Sequence, residues 1–82
     1  HFLVILFIIS LILTMNLEIY LFWTDNNGQQ QQQIENYPNW SGAIPRLKEH
    51  LVYYNPDETY LVEFVRHDIE ANLVSISAVF IS

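Results

Sequence analysis

The sequence predicts a mostly α fold with a single N-terminal transmembrane helix, a flexible polar linker, and a small helical tail that closes on an apolar β-like stretch. Three observations predict it. Residues 2–23 are almost continuously apolar. Residues 24–44 are dominated by Asn, Gln, Gly and Pro. Residues 45–73 carry two helix-start signals, each with proline at a natural first helical position.

The opening segment is long enough to span a bilayer as a helix. Residues 2–23 would extend roughly 33 Å at about 1.5 Å per residue, which matches a hydrocarbon core of about 30 Å. Fifteen of these residues are Leu, Ile, Val or Phe. At about −0.3 to −0.6 kcal/mol each they outweigh one charged residue near the end of the span. That residue is Glu18, followed by Tyr20, Phe22 and Trp23, which suit an aromatic belt at the membrane interface. A cleaved signal peptide fits less well, because no small-residue cleavage pattern comes after the apolar run. Ser10, Thr14 and Glu18 recur every four residues, so on a helix they form one stripe suited to docking another helix.

The linker 24–44 shows no apolar period, and Gln29–Gln33 read as a polar spacer. Asn39-Trp40-Ser41 fits the N-glycosylation triplet, which makes Asn39 a candidate glycan site in a luminal or extracellular setting. Tyr37 and Trp40 flank Pro38 and are available for packing.

A short helix is expected over 45–54, with Leu47, Leu51 and Tyr54 on one face. A second is expected from Asn55, with Asn55 as N-cap, Pro56 at the first position and Glu58 at the third. Leu61, Phe64, Val65, Ile69 and Leu73 then recur at helical spacing. The alternative is a strand over 59–65, disfavoured because Leu61, Val62, Phe64 and Val65 put apolar groups on both sides. In the last ten residues Val74, Ile76, Ala78 and Phe80 alternate with Ser75, Ser77, Val79 and Ile81, a strand-like pattern without charge. With one candidate strand in the chain, its sheet partner would come from another protein. Leu61, Phe64, Val65, Ile69, Val74, Ile76 and Phe80 are therefore the expected partner contacts.

Composition narrows the function classes. The net charge is −6, with three basic residues against nine acidic ones. Nucleic acid is excluded as a partner on that balance, since phosphate contacts need a basic surface. With no cysteine, the chain has neither disulfides nor thiolate metal ligands. Glu63, His67 and Glu70 would share a helical face, but their spacing misses the Glu-x-x-His pattern of di-iron bundles. Ser75, Ser77, His50 and His67 form no recognisable hydrolase set, and no glycine-rich phosphate loop is present. No cofactor and no catalysis are expected.

The expected function is a small single-pass accessory or structural subunit of a larger membrane complex. Its partners would be other subunits and the lipid bilayer. By analogy with energy-converting membranes, the mitochondrial inner membrane is the expected site. The alternative is a signal-anchored binding module at a luminal or cell-surface membrane.

Overall fold

A computed structural model describes residues 14–82, and within them every regular element is a strand. The strands are β1 (Met15–Thr24), β2 (Gln30–Trp40), β3 (His50–Tyr53), β4 (Glu58–Asp68) and β5 (Leu73–Phe80). They form one five-stranded sheet in the order β2-β1-β5-β4-β3, curled into a half-barrel. The mostly α expectation is therefore overturned.

The expected membrane helix is the first correction. Residues 1–13 lie outside the described residues, and the remainder of that segment belongs to β1. Leu17, Ile19 and Leu21 are buried on one face, while Glu18, Tyr20 and Phe22 lie half-buried on the other. This is the period-two alternation of a strand. Among the described residues no helix is long and apolar enough to cross a membrane. The single-pass helix, and the integral-membrane and mitochondrial placement inferred from it, fall with that finding, as does the secretory or cell-surface anchor of the alternative reading.

The linker is the second correction. Asp25 builds a tight reversal after β1. Its Oδ1 accepts hydrogen bonds from the backbone N–H groups of Asn27 and Gln29, both at 2.9 Å. Gly28 takes a φ of 79°, which only glycine adopts at no cost, and its N–H donates to the Asp25 carbonyl at 3.0 Å. The glutamine run then returns as β2, antiparallel to β1 from Thr24↔Gln30 to Leu17↔Tyr37 without a break. Backbone pairing with β1 holds this segment extended, so it needs no apolar period of its own.

Both expected tail helices are also corrected to strands. Residues 45–54 form a turn at Leu47–Lys48 and then β3. Asn55 and Pro56 lie in the turn between β3 and β4, and Asn55 has a φ of 58° rather than the extended backbone of an N-cap. β4 pairs antiparallel with β3 and with β5, and its register with β5 shifts between Val62 and Phe64. Glu63 is the extra residue of that bulge. The bulge shifts the alternation by one: Tyr60 and Val62 face the core before it, and Val65 faces the core after it. The resulting spacing of Leu61, Phe64 and Val65 imitates a helical period.

β5 is the centre of the sheet. It runs parallel to β1 (Leu17↔Val74, Ile19↔Ile76, Leu21↔Ala78) and antiparallel to β4 (Val62↔Ala78, Val65↔Ile76). Its sheet partners are thus within the chain, not in another protein. Asn72, at a φ of 53°, turns the chain from β4 into β5. Its carbonyl accepts from the Asn16 N–H at 3.0 Å, and its side-chain amide donates to the Thr14 carbonyl at 3.1 Å. Asparagine tolerates this left-handed backbone better than most residues.

The core is one apolar cluster on the concave face: Leu17, Ile19, Leu21, Tyr60, Val62, Val74, Ile76 and Ala78. Burying each large aliphatic side chain contributes about 1.5–3 kcal/mol. Tyr37, Trp40, Ile44, Leu51 and Tyr53 pack over it from the far end of β2, the 41–49 loop and β3. These pieces cover the concave face and place an aromatic group at its mouth.

Candidate ligand pocket on the concave face

The half-barrel's mouth holds a pocket of about 320 Å³ between β1, the end of β2, the 41–49 loop and β3. Leu17 and Ile19 form its floor, Tyr37, Trp40 and Tyr53 its aromatic wall, Pro45 its loop side, and His50, Leu51 and Val52 of β3 complete it. The size falls in the range of small-molecule sites, and the lining is apolar with a few polar tips.

Local sequence explains each placement. Tyr37 lies opposite Leu17 in the β1–β2 ladder, so it shares the concave face with the core. Asn39, at a φ of 57°, bends the end of β2 and swings Trp40 inward. The Trp40 indole N–H donates to the Ala43 carbonyl at 3.2 Å, and its ring packs edge-on to Tyr37 with centroids 5.5 Å apart. Gly42 sits beneath that ring. A Cβ there would approach Trp40 Cζ2 to 3.0 Å, a tight contact that the indole would have to relieve by shifting a few tenths of an ångström. Leu51 lies opposite Tyr60, and Tyr53 opposite Glu58, on the β3–β4 ladder. Tyr53 packs on Tyr60 (5.8 Å between centroids), and Tyr60 on Phe80 (5.6 Å). An aromatic row therefore runs from the pocket wall into the core and out to the end of β5.

The hydroxyls in this row stay protonated. Burial raises the Tyr53 phenol well above its ordinary value, and the Tyr37 hydroxyl and the negative charge of Glu35 add to the rise. Tyr60 is raised by burial and then by Glu58. On the opposite face Tyr20 is raised by its hydrogen bond to Glu18, its hydroxyl donating to Glu18 Oε2 at 3.0 Å. With their ionisation pushed upward, Tyr20, Tyr53 and Tyr60 carry their hydroxyl protons at neutral pH.

Tyr53 also makes stability depend on pH. Its folded pKa lies above the unfolded value of about 10, so its contribution to stability is complete below that pH and is lost as pH rises beyond it. We expect alkaline unfolding to begin above about pH 10 and Tyr53→Phe to move it upward. Tyrosinate absorbance and circular dichroism followed together would show this. An unchanged alkaline midpoint in the variant would contradict it.

The residues singled out in the sequence are dispersed. Ser10 lies outside the described residues, Thr14 precedes β1, and Glu18 faces away from the core. On a strand Thr14 and Glu18 stand about 13 Å apart and form no helical stripe. Tyr20 and Phe22 share Glu18's face, whereas Trp23 continues the alternation of the core face. Val74 and Ile76 are core, and Val65 packs against it. Leu61 is half-buried, while Phe64 and Ile69 are 54% and 84% exposed. Phe80 edges against Tyr60. Asn39 is exposed in the bent end of β2. Glu63 falls in the bulge, His67 on β4 and Glu70 in the turn after it, so the helical face they would share does not form.

Tyr53 and Tyr60 are not legible as site residues from the sequence. The signal for them is the two-residue spacing of Leu51 with Tyr53 and of Tyr60 with Val62. No protein-family profile, curated protein or solved structure matches the chain.

Proposed function

We propose that the chain is a binding module whose concave pocket takes a small apolar ligand, or an apolar side chain of a partner, with a hydrogen-bond acceptor turned toward the tyrosine hydroxyls. The carrying observation is the pocket itself: an apolar floor, an aromatic wall of Tyr37, Trp40 and Tyr53, and a Tyr53 phenol that burial keeps protonated. This is the binding-module alternative of the sequence reading, without its membrane anchor. The accessory-subunit reading rested on a helix spanning 1–23, and β1 occupies the described part of that segment.

The test uses Trp40 as its own reporter. Trp23→Phe removes the second of the two tryptophans. Titration with Nile red, a neutral apolar dye, is expected to give saturable one-to-one binding with energy transfer from Trp40. Leu51→Phe, which narrows the pocket without adding a tryptophan, and Tyr53→Ala, which removes its wall, should each weaken binding about tenfold or more. Binding that is unsaturable, or indifferent to both substitutions, would refute the reading.

A further inference from the structure

We propose that the outer edge of β2 pairs antiparallel with the same strand of a second copy of the chain, about a two-fold axis near Gln32. β2 is a terminal strand of the sheet, and among the described residues its ladder partner is β1 alone. Every second residue therefore turns its backbone N–H and C=O away from β1. The strand stays in register with β1 throughout Gln30–Tyr37, and the irregularity in that ladder lies beyond, between Met15 and Leu17.

Terminal strands are ordinarily guarded by lysine, proline, a bulge or a cover. From Gln30 to Ile34 this strand has no charge, no proline and no bulge. Gln30–Gln33 are exposed, and Ile34 is 45% exposed. Pro38 bars pairing only at the far end. The opposite terminal strand, β3, runs only from His50 to Tyr53 and offers too little edge for such a contact.

Self-complementarity identifies the occupant. A glutamine amide carries both donors and an acceptor, so a run of glutamines can pair with its own antiparallel copy. With Gln32 opposite Gln32 of the second copy, Gln31 meets Gln33, Gln30 meets Ile34, and Glu35 meets Gln29. No like charges come face to face. These amides already act as donors to carboxylates within the chain: Gln33 Nε2 to Glu35 Oε1 at 2.6 Å, and Gln31 Nε2 to Asp25 Oδ2 at 2.9 Å. A two-fold contact of this kind is closed, because it consumes the one long edge of each copy. It doubles the five-stranded sheet and stops there. Each copy carries a charge of −6, so mutual repulsion opposes the contact and added salt strengthens it.

The chain has no cysteine, which makes cross-linking unambiguous. In the full-length protein, Gln32→Cys should oxidise to a covalent dimer while Glu63→Cys, exposed on β4, stays monomeric. Sedimentation equilibrium should give a discrete monomer–dimer equilibrium that tightens with salt. Gln32→Lys and Gln32→Pro should each raise its dissociation constant about tenfold or more while the β-type circular dichroism is retained. A monomer at every concentration, association that ignores both substitutions, equal cross-linking at residue 63, or open-ended fibres in place of a dimer would each overturn the proposal.

Discussion

Ending the chain after Asn72 abolishes the fold. The deleted segment supplies β5, the one strand that pairs with both β1 and β4. It also removes Val74, Ile76 and Ala78 from the buried cluster. The two residues beyond β5 are lost as well: the Thr59 N–H donates to the Ser82 carbonyl at 2.9 Å, and the Ile81 N–H to the Thr59 carbonyl at 2.9 Å. The remainder would be two hairpins, β1–β2 and β3–β4, with no ladder between them. Isolated two-stranded hairpins are marginal in water. The measurement is far-UV circular dichroism with thermal unfolding. The expected result is loss of the cooperative transition; a truncated chain that still melts cooperatively would refute the central role of β5. Were residues 74–82 the partner-bound tail that their uncharged alternation suggests, the same cut would merely release that tail and leave the rest intact.

Ile76→Ala carries the second large effect. Ile76 is fully buried in β5, opposite Ile19 on one side and Val65 on the other. Removing its branched side chain loses transfer free energy and leaves a cavity that strand pairing on both sides keeps from collapsing. The expected cost is about 2–5 kcal/mol. A domain of this size has a total stability of about 4–12 kcal/mol, so the loss is a large share of the whole. Phe64→Ala is the matched control. Phe64 stands on the opposite face and is more than half exposed, and its loss should cost less than about 1 kcal/mol. Urea denaturation of the three proteins gives both values. A Phe64 variant as unstable as the Ile76 variant would mean that the core has been placed on the wrong face.

The legible and illegible parts of the fold differ by strand. β5 is legible, because Val74, Ile76 and Ala78 alternate with Ser75 and Ser77. β1 carries the same alternation, with Asn16 and Glu18 set against Leu17, Ile19 and Leu21. It is masked by the apolar run before it and by Tyr20 and Phe22, which make both faces of a central strand apolar. β4 is hidden by its bulge, since the extra residue Glu63 turns a two-residue period into apparent three- and four-residue spacings. β2 has no local signal, because asparagine and proline disfavour strands, the glutamine run has no apolar alternation, and the pairing that fixes them is supplied by β1. Asn55-Pro56 has the form of a helix start, and the same residues serve a turn. The pocket is illegible for a related reason. Tyr37, Trp40 and Tyr53 meet only when the sheet curls, and the curl arises from long-range pairing.

The parallel ladder between β1 and β5 has a consequence for synthesis. It joins Asn16 to Leu73, nearly opposite ends of the described chain. As the polypeptide leaves the ribosome, β1 lacks its β5 neighbour until residues 73–80 have emerged. Topologies that depend on such distant contacts fold slowly, and their apolar faces stay exposed meanwhile. Leu17, Ile19 and Leu21 therefore wait for Val74, Ile76 and Ala78 before their burial is complete.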